Sequence, residues 1–345
     1  MRFPLLLVAL LGCSAPPDAS APAPPTALDR GPPGSPPGGQ PGVAPPSDGR
    51  RNQVGRLSLS PDEVDSIQAA CALEPKLPTG AGYDGLLHDA HVHSSLAHDQ
   101  GPFAVDLLAE MNAAGVATAI VQPDHAPGMR TNRQFKGALR RMERTWGQIG
   151  ALCPRLRVML YVFDPDDPSE WAYVDESLAT GHFSGVGEIE LQHSRLPLKA
   201  DPHSPLMERI YDRLEADGGL LHFQASPRGE RDPLPDQIVA IARAHPGARF
   251  LWFAAEAPPQ PDWPENLKCS AILHPVMGGL PDNHRILTWG SDVGPAGYEA
   301  AGWAALPYRS IAEAAAGARA LLGELPPEAS ARVAYGNLEG LLNKP

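Results

Sequence analysis

From Asp84 onward, apolar β-like runs alternate with helix-like segments, a pattern that restricts the chain to a parallel sheet joined by crossover helices. Strands are predicted near Leu86–His93, Val116–Gln122, Leu156–Phe163, Gly185–Leu191, Gly219–Gln224, Ala248–Ala254, Cys269–His274 and Arg285–Trp289. Helices fit between them at Phe103–Ala114, Asn132–Leu152, Pro168–Ala179, Pro205–Asp217 and Pro235–Ala244, and Ser310–Leu322 and Glu328–Leu342 follow the last strand. The sixth and seventh crossovers, Pro258–Lys268 and Val276–His284, lack a helical pattern and read as loops. Eight such strands suggest a closed (β/α)8 TIM barrel, whose catalytic groups gather at the carboxyl ends of the strands.

Polar groups stand at those ends. Asp89-Ala90-His91-Val92-His93 places two imidazoles two residues apart, on one face of a strand, with Asp89 beside them. Later strand ends carry Glu188, His222 and Asp292. Any one of these alone reads as a satisfied buried histidine or a capped strand end; five in register across separate strands read as a metal site. Neutral imidazoles with a carboxylate suit one divalent cation, zinc first, with manganese or iron using nearly the same donors. Such a cation lowers the pKa of a bound water towards neutrality, and Asp292 is placed to take the proton, which describes a metallohydrolase.

The ordered set Asp89-x-His91-x-His93, Gly187-Glu188, His222, Trp289-Gly290-Ser291-Asp292 and Tyr335-Gly336-Asn337-Leu338-Glu339-Gly340-Leu341-Leu342 resembles the amidohydrolase superfamily. It is most similar to the branch that includes aminocarboxymuconate-semialdehyde decarboxylase and related metal-dependent hydrolases. The resemblance covers about Asp84 to Asn343 and implies that His91, His93, His222 and Asp292 are metal ligands, with Glu188 a further ligand or a pocket residue. One departure stands out. Superfamily members usually carry another histidine near the end of the sixth strand, and here the matching segment is Phe250-Leu251-Trp252-Phe253-Ala254-Ala255-Glu256, with Ala254 at the aligned position and Glu256 as a displaced substitute. That favours a single metal and weakens a decarboxylase reading, in which that histidine takes part.

Other candidates are weaker. Asp124 and His125 follow the second strand, where they face substrate or cap a turn. Glu190 shares a face with Glu188, Gln224 with His222, and His274 ends the seventh strand; all three are assigned to the substrate pocket. His98, His182, His193, His203, His245 and His284 read as surface residues, Arg140-Arg141-x-Glu143-Arg144 as a solvated helix face, and Trp146, Trp171, Trp263 and Trp303 as packing groups.

The N-terminus is of another kind. Arg2 precedes a short apolar run, Phe3 to Leu11, too short to span a bilayer and similar to a secretory signal over residues 1–12. Leu10-Leu11-Gly12-Cys13 resembles a bacterial lipobox, which implies lipidation of Cys13 and attachment in the cell envelope; Ser14 after it implies the outer membrane. Residues 13–50 are Pro, Ala, Gly and Ser with few large apolar side chains, a disordered tether. Residues 51–83 form an extension packed on the barrel, which takes residues 84–345. A formal charge of −12 argues against nucleic acid and against a polybasic membrane patch, leaving the lipid as the membrane contact. Cys71, Cys153 and Cys269 form no CxxC pair, so a thiolate zinc site is not expected, and one disulfide among them has no deducible partners.

Three functions fit: a lipid-anchored single-metal hydrolase acting on an amide, ester, lactone or similar bond of a small molecule; a decarboxylase-type lyase; and a non-catalytic ligand-binding barrel. Asp292 argues against the third, because a binding barrel has no use for a proton shuttle.

Overall fold

The computed structural model describes residues 58–79, 82–95, 99–124, 133–162, 167–192, 201–225, 233–253, 262–271, 287–293 and 310–343. The predicted signal segment, Cys13 and the predicted tether lie outside these residues. So do His98, His193, His284 and Trp303, and most of the sixth and seventh crossovers. Among the described residues no helix is long and apolar enough to cross a membrane.

Eight parallel strands run in sequence order: β1 (Leu87–Ser95), β2 (Val116–Asp124), β3 (Leu156–Leu160), β4 (Gly185–Gln192), β5 (Leu220–Ala225), β6 (Arg249–Phe253), β7 (Leu267–Ala271) and β8 (Leu287–Trp289). A parallel bridge between Val92 and Val293 brings the last strand back to the first, giving a (β/α)8 barrel. β3 stops at Leu160, short of the predicted Phe163.

The helices are α1 (Pro61–Cys71), α2 (Gln100–Ala114), α3 (Arg133–Leu152), α4 (Pro168–Ala179), α5 (Pro205–Asp217), α6 (Leu234–Ala244), α7 (Ile311–Leu322), α8 (Pro327–Ala331) and α9 (Asn337–Leu342). Local chemistry sets their ends. Ser60 and Glu63 form a reciprocal capping box at the start of α1, and Ser204 and left-handed Gly218 bracket α5. α1 was not predicted, although Ser60-Pro61-Asp62-Glu63 is a start signal; its face buries Ile67. The helix predicted over Glu328–Leu342 is instead α8, a π-helical turn at Arg332–Gly336, and α9.

Two apolar layers follow from strand alternation. Residues such as Val121, Val158, Phe223 and Trp252 point outward against the helices. Ala90, Ile120, Met159, Leu220 and Leu251 point inward and meet Leu338 and Leu341 of α9, which close the amino-terminal end of the barrel. Each such leucine contributes about 2 kcal/mol by burial. The terminal motif is therefore a plug: Tyr335 lies on the His88 ring with centroids 4.0 Å apart, and the Asn337 amide donates to the Leu287 carbonyl. The candidate donors gather at the other end, the carboxyl-end mouth of the barrel.

Two expectations need correction. Arg140 does not lie on a solvated face: it is 7% exposed, donates to Glu143 at 2.8 Å and to the Tyr161 carbonyl at 2.8 Å, and pairs with Glu170 of α4. Glu143 in turn accepts from the Tyr161 N–H and the Tyr173 hydroxyl. A charge pattern along one helix cannot reveal carboxylates and donors that another element supplies. His245 is mostly buried beside Glu215, 2.9 Å away. The cysteine pairing left open by the sequence is Cys71–Cys153, joining α1 to the residue after α3, with Cys269 buried outside the disulfide. Trp146 packs as predicted, and its Nε1 donates to Gln100 at 2.6 Å.

Candidate metal centre

The carboxyl ends of β1, β4, β5 and β8 bring His91, His93, Glu188, His222 and Asp292 to one place. The β1–β2 register slips between Asp89 and Val92. Beyond the slip, His91 Nε2 lies 2.8 Å from His93 Nε2, 3.5 Å from Asp292 Oδ1 and 3.7 Å from Glu188 Oε2. His91 Nδ1 lies 3.1 Å from His222 Nε2, and His93 Nε2 lies 3.1 Å from Asp292 Oδ1. Two overlapping triads result, His91–His93–Asp292 and His91–Glu188–His222.

The backbone is arranged around these side chains. The Asp292 N–H donates to the His91 carbonyl at 2.9 Å and the His93 N–H to the Val293 carbonyl at 2.9 Å, so β1 and the end of β8 hold each other. Asp292 has φ 54°, in the left-handed region, at a cost of about 1 kcal/mol that aims its carboxylate at the histidines. Gly187, at φ 150°, precedes Glu188 because a Cβ there would meet the His222 carbonyl oxygen at 2.4 Å. Gly290 precedes Ser291 for a like reason: its Cβ would meet Ser270 Oγ at 2.4 Å and His91 Cβ at 3.0 Å.

Asp89 is not among the converging donors. It is fully buried, and its Oδ1 accepts from the N–H groups of His91 and Ser291. Burial pushes its pKa up to about 7, against the pull of those hydrogen bonds. Burial, with the neighbouring imidazoles His93 and His222, holds the His91 pKa well below the ordinary value. His222 is lowered to about 3 by burial and then by His93. Both rings are therefore neutral, the form that binds metal.

The residues fit a divalent cation. His93 Nε2 meets both His91 Nε2 and Asp292 Oδ1 and carries at most one proton for the two, so three neutral imidazoles crowd acceptor nitrogens together at 2.8–3.1 Å, and two carboxylates complete the set. A cation at their centre resolves that conflict. The donor set suits zinc, manganese or iron and does not choose among them.

The predicted pocket residues fare unevenly. Gln224 lies half-buried on the inner face of β5, in register with Glu190 on one side and Phe253 on the other. Asp124 ends β2 beside Ser95, and Glu190 lies in β4; nothing is described of either side chain. His125, His274, Ala254 and Glu256 lie outside the described residues. The described part of β6 ends one residue before Ala254. His222 pairs with Leu251 and Gln224 with Phe253, so Phe253 is the last inward residue described on β6. Its ring lies 4.1 Å from that of His91 and stacks towards His222 at 6.5 Å.

Sequence reasoning missed Phe253 and three buried polar groups. Gln122 is 1% exposed, in register with His93 on the neighbouring strand, and neither amide atom has a partner among the described residues. Ser270 and Thr288, both fully buried, have hydroxyls in the same state. Gln122 was legible in principle, as a lone amide two residues beyond inward Ile120.

No protein-family model matches the chain, and no curated protein matches it. Among solved structures it is similar to a 2,6-dihydroxybenzoate decarboxylase from Rhizobium, at 14% identity and TM-score 0.47 over 75% of this chain and 98% of that one. It is also similar to a dihydroxybenzoic acid decarboxylase from Polaromonas with bound manganese and the inhibitor 2-nitroresorcinol, at 13% identity and TM-score 0.45 over 75% and 97%. A third is a probable 2-pyrone-4,6-dicarboxylic acid hydrolase from Acinetobacter baumannii with citric acid bound, at 13% identity and TM-score 0.42 over 74% and 98%.

Proposed function

We propose that this chain is a divalent-metal-dependent hydrolase of the amidohydrolase superfamily, acting on an ester, lactone, amide or similar bond of a small molecule. The observation that carries the reading is the convergence of His91, His93, His222, Glu188 and Asp292 at the carboxyl-end mouth of the barrel. When bound there, the cation supplies a Lewis acid for the scissile carbonyl and lowers the pKa of the attacking water.

The chain's own residues do the rest. Asp292, with a side chain 15% exposed, is reachable from the mouth and takes the proton of the attacking water at its carboxylate, then delivers it to the leaving group. His91, wholly buried, keeps the donors in position from beneath. Phe253 covers the His91 and His222 rings on the β6 side, excludes water there and offers a planar face to substrate. Gln122 is placed to hydrogen-bond a substrate carbonyl or hydroxyl with an amide that has no partner among the described residues.

The protein works outside the cytoplasm in this proposal, anchored by lipid at Cys13 to the bacterial outer membrane. The Cys71–Cys153 disulfide supports export, since such bonds persist in oxidising compartments.

A screen of metal-loaded protein over ester, lactone, amide and aromatic-acid substrates, run in 18O-labelled water, tests the reaction. Label in the organic product establishes hydrolysis, whereas release of carbon dioxide with no label in the organic product establishes the decarboxylase-type reaction. Asp292→Asn should lower turnover by roughly two to four orders of magnitude while substrate still binds. Tight binding with no turnover on any class would identify a non-catalytic barrel. For the anchor, Cys13→Ser should leave the membrane fraction or accumulate as precursor; a variant processed and bound like wild type refutes lipidation.

A further inference from the structure

At the end of the barrel opposite the metal centre, a cavity of about 640 Å³ opens between the starts of β3 to β6 and the ends of α4 and α5. Two guanidinium groups line it. Arg157 faces inward one position before Val158 of β3, and Arg249 begins β6. The Nε atoms of both are buried and have no hydrogen-bond partner among the described residues. The Nη1 of Arg249 donates to the Leu341 and Leu342 carbonyls at 2.9 and 2.6 Å, which caps α9, but Arg157 has no such anchor among the described residues. Among the described residues no carboxylate forms an ion pair with either arginine. Asp217, which also lines the cavity, is already held by Arg213 Nε at 2.6 Å.

Two like charges sharing one partly desolvated cavity are costly unless an anion joins them. The charge of Arg157 disfavours that of Arg249, over and above the effect of burial. Guanidinium forks match the oxygens of a phosphate or carboxylate, and Leu178 and Phe183 supply an apolar wall beside them. The volume suits a small ligand.

We propose that this cavity is a second ligand site, for a small organic oxyanion: its phosphate or carboxylate oxygens take the free edges of Arg157 and Arg249, and its apolar body lies against Leu178 and Phe183. The site is separated from the metal centre by the inward layer of Ala90, Ile120, Met159, Leu220 and Leu251.

Calorimetric titration of the metal-loaded full chain with phenyl phosphate tests this, with inorganic phosphate as the probe lacking an apolar body. Wild type should bind phenyl phosphate more tightly than phosphate. Arg157→Gln should weaken binding at least tenfold, Arg157→Lys should restore part of it, and His93→Ala should leave this binding in place. Binding unchanged in Arg157→Gln, binding lost in His93→Ala, or no binding at millimolar ligand would each overturn the proposal. Phenylglyoxal modification of wild type, followed by peptide mass mapping, needs no variant: phenyl phosphate should protect Arg157, and an unprotected Arg157 would refute the site.

Discussion

A single buried carboxylate oxygen, Asp89 Oδ1, accepts the N–H of Ser291 across the seam between β1 and β8 at 2.9 Å. The same oxygen accepts the His91 N–H at 3.0 Å, so the two segments that carry His91 and Asp292 are tied to one atom. The first residue of the Asp-x-His-x-His pattern thus acts on backbone geometry, and the two histidines on the centre itself.

Asp89→Ala should leave both N–H groups buried without an acceptor and lower stability by about 2–5 kcal/mol. Asp89→Asn keeps an acceptor oxygen and should cost less than Ala. Urea unfolding of the two variants measures this, and an Ala variant within about 0.5 kcal/mol of wild type would contradict the seam's role.

Purified wild type should carry about one divalent metal per chain, and the His91→Ala/His93→Ala variant none. Elemental analysis after gel filtration gives the answer. Metal unchanged in the double variant would place it elsewhere, and two tightly held metals per wild-type chain would mean that both triads around His91 are occupied.

The disulfide spans 82 residues of sequence, so replacing Cys71 and Cys153 by Ser should cost about 2–4 kcal/mol, mostly by freeing the unfolded chain. Metal content should be untouched, because α1 and the end of α3 lie outside the strand ends that carry the donors. Thermal unfolding with and without reductant should show the same loss in wild type and none in the variant.

His88 is 2% exposed beneath Tyr335, 3.2 Å from Glu339, and burial with the Arg157 cation holds its pKa down to about 4. The unfolded chain takes up this proton near pH 6.5 and the folded chain only near 4, so the unfolded state binds more protons between those values. Stability from this group is complete above pH 6.5 and declines as pH falls towards 4. Relative to His88→Gln, wild type should lose about 2 kcal/mol between pH 7 and pH 5. Parallel curves for the two proteins would show that His88 does not titrate in this way.

Much of the site could be read in the chain because strand alternation is local. Residues two apart share a face wherever they fold as β, and strand ends meet at one rim in any parallel barrel. That is why His91, His93, Glu188, His222 and Asp292 could be named before any contact was known. Phe253 could not: one residue of register separates it from Ala254, and register is decided by pairing with β5. Arg140 was misread for a related reason, since its partner Glu170 stands thirty positions away on another helix.

By itself, then, the sequence determined the alternating layers, the strand ends that carry donors and the residues able to hold a cation, because each depends on short-range periodicity and side-chain chemistry. Only the tertiary structure decided that Asp89 serves the backbone, that Cys71 meets Cys153, that the terminal motif plugs the barrel, and that Arg157 and Arg249 share a cavity. Those facts are distances between residues far apart in the chain, and they exist only once packing has closed the ring of strands.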